Sequence, residues 1–198
     1  MSDFAPATAT VVHVCVGRAR PVAVAGRRAA TAIAKQPVGG RVAVGPLGRA
    51  GDEQAAPSVH GGLSKAVYAY PSEHYAFWQT VRAQARQQLW DEVATPGLLG
   101  ENLTLQGLRE ADLWVGDQLH LPDCVLVVSE PRFPCFKFNA AMGFNQASKL
   151  MAQSGYCGAY LAVHRPGTVQ AGQPITLVPG PREVGIAELF RSRAAKLR

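Results

Sequence analysis

Apolar residues along this chain fall into short runs, and glycine or proline stands between most of them. Strands of this length and spacing are typical of an antiparallel barrel or sandwich, and less so of a parallel α/β sheet. The units Pro122-Asp123 and Pro166-Gly167 have turn chemistry and predict hairpin links. The predicted strands are Val11 to Val16, Val22 to Ala25, Arg41 to Val44, Ala66 to Tyr70, Asn102 to Leu105, Gln118 to Leu121, Cys124 to Ser129, Gly158 to His164 and Ile175 to Val178.

Helical periodicity is confined to three segments, so the fold class is mainly β with a few peripheral helices. The first helix follows Ser72, with Trp78, Val81, Ala85 and Leu89 on one face. The second is predicted within Ala140 to Gln153 and ends near Gly155. The third spans Val184 to Leu197. We therefore expect a barrel domain over residues 1–180 and a helical tail over 181–198.

The composition is that of a globular protein. The chain has 198 residues, of which 47% are hydrophobic and 17% charged. No apolar run reaches the roughly 20 residues that cross a bilayer, and the N-terminus lacks the pattern of a secretory signal. We expect a cytoplasmic protein without a membrane contact. The net charge is +6, to which the C-terminal residues Arg191, Arg193, Lys196 and Arg198 contribute strongly.

Four cysteines, at positions 15, 124, 135 and 157, form neither a CxxC pair nor a regular ladder. The segment Glu130-Pro-Arg-Phe-Pro-Cys-Phe-Lys137 singles out Cys135, because its two prolines stiffen the loop that holds the thiol. Nearby Arg132 and Lys137 favour a thiolate, which is a nucleophile and a soft metal ligand. The alternative is a buried structural cysteine, which is common.

Three further clusters contain candidate chemistry. In His60-Gly61-Gly62, followed by Lys65, exposed backbone amides could cradle an oxyanion, although an ordinary turn has the same composition. In Gly100-Glu101-Asn102, an acid and an amide could contact a cofactor, or could only stabilise the turn. Lys35 is a candidate phosphate contact or proton donor, or else a solvated surface charge.

Taken in order, these clusters resemble the MOSC family, named for the C-terminal domain of molybdenum cofactor sulfurase, and in particular its small stand-alone YiiM-like members. The resemblance spans roughly Lys35 to Pro179. It rests on Lys-Gln-Pro-Val, Gly-Pro-Leu-Gly, Gly-Asp, Val-His-Gly-Gly with Lys-Ala-Val-Tyr-Ala-Tyr-Pro, Gly-Glu-Asn-Leu-Thr, Val-Gly-Asp and Pro-Arg-Phe-Pro-Cys.

The resemblance implies a β-barrel, a bound molybdenum cofactor (molybdopterin) and Cys135 as the protein ligand to the metal. It also implies reduction of small N-hydroxylated compounds, such as N-hydroxylated bases, with electrons from a separate donor protein. The resemblance places Lys35 and His60 with Cys135 around the reactive centre. The surrounding cofactor-binding residues it implies are Asp52, Gly61, Gly62, Lys65, Glu101, Asn102 and Arg132, with Arg132 at the cofactor phosphate.

Two other functions stay open on these residues. The first is a carrier that passes on the cofactor or a persulfide sulfur from Cys135 without reductase turnover. The second is nucleic-acid binding, suggested by the basic tail, but the sequence lacks the interleaved basic and aromatic positions that stack bases. We expect a small-molecule substrate and no nucleic acid, and the sequence leaves a homodimer open.

Overall fold

Seven strands close into a barrel in a computed structural model, which describes residues 8–24, 27–49, 51–53 and 61–195. Going round the barrel, the order is β13, β9, β10, β11, β7, β8 and β1, and β1 pairs with β13 to complete the circle. All these neighbours are antiparallel except β7 and β8, which run parallel. The predicted mainly-β barrel is therefore confirmed.

The strands are β1 (Thr8–Val16), β2 (Arg20–Val24), β3 (Arg27–Thr31), β4 (Gln36–Pro37), β5 (Val42–Gly45), β6 (Gly48–Arg49), β7 (Val67–Pro71), β8 (Leu103–Gln106), β9 (Gln118–His120), β10 (Val125–Pro131), β11 (Ala159–Arg165), β12 (Gly167–Val169) and β13 (Pro174–Val178). The α-helices are α1 (Tyr75–Gln84), α2 (Phe136–Met142), α3 (Ala147–Ser154) and α4 (Ile186–Ala195). Short 3-10 turns cover Leu63–Lys65, Ser72–His74 and Glu110–Asp112.

Two clusters of buried side chains hold the fold together. One fills the barrel with aliphatic residues such as Val11, Leu103, Leu126 and Ile175. The other joins the helices to the outside of the barrel and is mostly aromatic, with Trp78 and Phe138 in edge-to-face contact at 5.6 Å. The helices therefore form a layer against one side of the barrel.

Outside the barrel, β4 adds to β1, β5 lies between β12 and β6, and β2 pairs with β3 in a separate hairpin. Pro122-Asp123 does link the antiparallel pair β9 and β10. Pro166-Gly167 does not make the predicted hairpin, because β12 leaves the barrel and pairs with β5 instead.

The helix predictions need two corrections. The second predicted helix does end at Gly155, but residues 140–153 belong to two helices, because Gly143 takes a left-handed conformation (φ 81°) and ends α2. The first helix ends at Gln84, before Arg86 with its positive φ of 55°, so Leu89 is 72% exposed rather than packed on the barrel. Among the described residues, no helix has the length and hydropathy to cross a membrane.

Candidate functional site

A pocket beside the barrel brings together six of the ten predicted site residues. They are Lys35, Asp52, Lys65, Asn102, Arg132 and Cys135. Further lining residues come from the end of β3 and the segment after it (Thr31, Ala32 and Ile33), and from Glu53, Tyr68, Gly100, Lys137 and Tyr160. Segments far apart in sequence therefore converge on one cavity. Four lining cations, Lys35, Lys65, Arg132 and Lys137, face two lining carboxylates, so the described wall is positive and suits an anion.

Lys35 is fixed in the pocket wall by an ion pair with Asp52, and both side chains are buried. Oδ1 of Asp52 also accepts a hydrogen bond from the backbone N–H of Gly17 at 2.8 Å. Its Oδ2 accepts one from Nδ2 of Asn102 at 2.8 Å. The Asp52 carboxylate therefore ties Lys35, β1 and the start of β8 together. This excludes the alternative in which Lys35 is a solvated surface charge.

Asn102 also joins two strands. Its Oδ1 accepts a hydrogen bond from the Tyr68 N–H at 2.9 Å, and its own N–H donates to the Tyr68 carbonyl at 2.7 Å. The side chain lies at the junction of β7 and β8, the one parallel pair in the barrel. Asn102 thus holds this wall of the pocket in register while lining the cavity.

Glu101 is placed differently from the predicted cofactor contact. It is fully buried and is not among the residues that line the pocket. Its carboxylate accepts hydrogen bonds from the N–H groups of Gly97 at 2.7 Å and Leu99 at 3.0 Å, and from the Tyr75 hydroxyl. Each carboxylate oxygen accepts a hydrogen bond from a backbone amide of the same loop. The position of Glu101 therefore agrees with the alternative, in which it only stabilises the turn.

Arg132 is a buried cation on the pocket wall, only 3% exposed. Its guanidinium lies over the rings of Phe138 at 4.8 Å and Tyr68 at 5.1 Å, and it hydrogen-bonds the Tyr160 hydroxyl. Burial opposes its charge, but Tyr68, Tyr160 and Cys135 hold the pKa of Arg132 above its usual value. No carboxylate in the described ranges lies within 4.0 Å of the guanidinium. The aromatic rings attract the cation but do not neutralise its positive charge.

Cys135 is the partly exposed cysteine, whereas Cys15, Cys124 and Cys157 are buried. It directly precedes α2, and its carbonyl accepts a hydrogen bond from the Phe138 N–H at 2.8 Å. The alternative of a thiol sealed in the core is therefore excluded for this residue. Burial raises the pKa of Cys124 to about 11 and that of Cys157 well above its usual value, which keeps both as thiols.

The glycine cluster is only partly described. His60 lies outside the described residues, and Gly61 and Gly62 are not among those that line the pocket. Lys65 follows them in the 3-10 turn Leu63–Lys65 and does reach the pocket. Its Nζ lies 3.6 Å from a Glu130 carboxylate oxygen and 5.7 Å from the centre of the Tyr160 ring.

The sequence did not identify Tyr68 or Tyr160 as site residues. Their rings lie 5.4 Å apart on neighbouring strands, between the cations Lys65 and Arg132. Burial raises the pKa of Tyr160, and Arg132 opposes that rise. The alternation of side chains along each strand indicated which residues share a face of β7 or of β11. Only the pairing of these two strands shows that both tyrosines face Arg132.

No group of three or more His, Cys, Asp or Glu side chains in the described ranges could hold a metal ion. Within that part of the chain, a metal at Cys135 would therefore need further ligands from a bound group. The site therefore fits a metal that arrives with its own donor atoms.

Comparison with known proteins gives consistent matches. The model of the MOSC domain matches residues 56–176. YiiM from Escherichia coli strain K12 is 37% identical over 158 residues, which cover 80% of this chain and 68% of that protein. A protein of Gibberella moniliformis named Reductase is 34% identical over 177 residues, 89% of this chain but 30% of that longer protein. The crystal structure of YiiM from Geobacillus stearothermophilus has a TM-score of 0.74 at 31% identity, covering 95% of this chain and 85% of that one.

Proposed function

The chain belongs to the MOSC family, and on this premise we propose that it binds the molybdenum cofactor through Cys135 and reduces small N-hydroxylated compounds. The observation that carries the proposal is the juxtaposition of two groups in one pocket. Cys135 offers a partly exposed thiol, and Arg132 offers a buried cation without a carboxylate partner in the described chain. A soft metal ligand beside an anion site is what a phosphate-bearing metal cofactor requires.

The lining residues fit this cofactor chemically. Cys135 would ligate the metal, and Arg132 would hold the phosphate, with Lys65 and Lys137 adding positive charge. Asn102 would contact the pterin from the pocket wall. When bound, the cofactor supplies a metal that exchanges electrons, together with sulfur ligands of its own.

The proposed reaction breaks an N–O bond. The hydroxylated nitrogen of the substrate takes up two electrons and two protons, and the products are the N–H compound and water. Lys35, held in the wall by Asp52, would deliver a proton to the departing oxygen. His60 is proposed as the second donor, since histidine exchanges protons near neutral pH. The electrons would come from a separate donor protein.

One relative supports a redox role by its name. The Gibberella moniliformis relative is called Reductase, and this chain matches 30% of it. The partners that we propose are a small N-hydroxylated molecule and an electron-donating protein.

The test is turnover of an N-hydroxylated purine base by protein expressed with molybdate, with reduced methyl viologen as the electron source. We expect wild-type protein to form the amino base and Lys35→Met to lose about 100-fold or more in rate at unchanged molybdenum content. Arg41→Met is the matched control, because Arg41 lies in an exposed ion pair with Asp123 outside the pocket. Molybdenum-loaded wild-type protein that reduces no N-hydroxylated compound would contradict the proposal.

A sulfur or cofactor carrier is the second candidate, because a carrier also needs an accessible thiol and Cys135 provides one. Mass spectrometry of the intact protein after incubation with a persulfide donor separates the two. A carrier would gain one sulfur on Cys135 and hand it to an acceptor, without reductase turnover.

A further inference from the structure

The loop that carries Cys135, residues 131–135, is held by a separate contact at nearly every position. Pro131 pairs with Ala159 at the end of β10. The Arg132 guanidinium is held by the aromatic rings and lies 3.8 Å from the Met151 sulfur on α3. The Cys135 carbonyl accepts a hydrogen bond from the hydroxyl of Ser148 on α3 at 3.4 Å. Barrel, α2 and α3 therefore fix both ends of this loop.

The middle of the loop is held by the last helix. The Phe133 ring stacks on the Phe190 ring of α4, with centroids 5.2 Å apart and an interplanar angle of 20°. The guanidinium of Arg193, one turn further along α4, lies 5.7 Å from the centre of the same Phe133 ring. Phe133 is thus enclosed by a buried ring and an exposed cation, both from α4.

The start of the helix is anchored to the segment that precedes β9 and to the barrel core. The Ile186 N–H donates to the Leu113 carbonyl at 2.9 Å, and Gly185 forms a β-bridge with Trp114. The Ile186 side chain is buried in the barrel core. Through α4, the position of Phe133 is therefore fixed relative to the barrel. Cys135 lies two residues after Phe133 on a loop that is stiffened by proline.

We propose that α4 is a positioning element for the metal site, with Phe190 and Arg193 as positioning residues that hold Cys135 towards the pocket through Phe133. The inference rests on the proposed role of Cys135 as metal ligand. The helix acts by limiting the local opening of residues 131–135, which would otherwise move the thiol away from the pocket.

The test measures how fast iodoacetamide alkylates Cys135 in the native protein, followed by intact-mass and peptide analysis. The reaction is selective, because the other three cysteines are buried. In Phe190→Leu we expect alkylation to be faster than in wild type by up to about 3- to 10-fold. The thiol reacts faster from the opened loop than from the pocket wall, and losing an aromatic pair shifts the opening equilibrium by about this factor. Arg193→Gln should give an increase of about 2- to 5-fold.

Two control variants separate positioning from general destabilisation. Ile175→Val removes one methyl group from the barrel core on β13 and changes no residue of α4 or of the loop. Arg191→Gln removes an exposed arginine whose Nε donates to the Ala187 carbonyl within its own helix. Both should alkylate within twofold of wild type. The free energies of unfolding of Phe190→Leu and Ile175→Val are compared by urea titration, so that a general loss of stability can be subtracted. An alkylation rate in Phe190→Leu that is then equal to or below that of Ile175→Val would overturn the proposal.

Molybdenum content gives the second readout. We expect Phe190→Leu to retain at least threefold less metal after gel filtration than Ile175→Val, whereas equal retention would count against positioning. If wild-type protein binds no molybdenum, the proposed function fails, and the alkylation rates still decide whether α4 restrains the loop.

Discussion

Gly97 packs directly against the backbone of Lys35, so a substitution at Gly97 should displace Lys35. It has a φ of +88°, and a Cβ atom there would lie 2.5 Å from the Lys35 carbonyl oxygen and 2.7 Å from its carbonyl carbon. The Lys35 N–H donates to the Gly97 carbonyl at 3.3 Å. The substitution Gly97→Ala therefore pushes on the backbone that carries Lys35 rather than on a flexible side chain.

Two costs add in this variant. An alanine in the left-handed region costs about 1–2 kcal/mol. The contact with rigid backbone costs about 1–3 kcal/mol more, as overpacking of a tight interior does. We expect the free energy of unfolding to fall by about 3 kcal/mol, and Lys35 to be displaced from Asp52.

Gly172→Ala separates the two costs. Gly172 has nearly the same φ, +86°, but a Cβ atom there would meet nothing within 4 Å. Urea unfolding followed by circular dichroism should show a loss of about 1–2 kcal/mol for Gly172→Ala and a clearly larger loss for Gly97→Ala. Equal losses of unfolding free energy in the two variants would contradict this prediction, because they would mean that the close approach of Gly97 to the Lys35 backbone does not affect stability.

Three further predictions concern ionisable side chains. Glu101→Gln should lose about 2–3 kcal/mol of stability, because the loop amides lose a charged acceptor, while molybdenum content per folded molecule stays unchanged. Asp52→Asn should lose about 3 kcal/mol by leaving the Lys35 ammonium in the wall without its carboxylate, and adding Lys35→Met should recover part of the loss. Burial raises the pKa of Cys124 from 9.0 to about 11, so its thiol stabilises the fold fully below pH 9 and loses that contribution towards pH 11. The stability difference between wild type and Cys124→Ala should therefore shrink by about 2 kcal/mol over this window.

Each of these has a direct check. Exposed Glu188→Gln on α4 controls for the loss of one carboxylate in Glu101→Gln, and should cost less than 0.5 kcal/mol or so. A loss in Asp52→Asn that is unaffected by Lys35→Met would show that the ion pair is not the cause. For Cys124, urea midpoints measured from pH 8 to pH 11 decide the matter, and a constant difference between the two proteins would contradict the burial argument.

The barrel could be predicted because its strands are local patterns. Runs such as Cys124 to Ser129 contain the apolar residues that fill the core, and the helices contain a buried face that includes Trp78. The short strand β12 could not be predicted, since it pairs with β5, more than a hundred residues earlier in the chain. The break at Gly143 was visible as a glycine, but a continuous helix over that segment was also consistent with the pattern.

The site was predictable to the extent that its residues lie in distinctive segments. Proline-flanked Cys135 and Arg132 stand together in the sequence, and they also lie together in the pocket. The contacts that keep Arg132 buried and charged come from β7, β11 and α2. No local sequence pattern indicates that these three elements meet. The role of Glu101 could not be predicted. An acidic residue beside a glycine loop has the same sequence pattern whether its side chain faces the pocket or stabilises its own turn.

The decisive test of metal ligation by Cys135 is the molybdenum content of the purified protein. Wild type, Cys135→Ser and Cys124→Ala, expressed together with molybdate, should be compared by elemental analysis after gel filtration. Cys124 lies in the barrel core, so its variant controls for the loss of a thiol elsewhere. We expect metal in wild type and Cys124→Ala and its loss in Cys135→Ser, whereas equal molybdenum in all three would contradict ligation by Cys135.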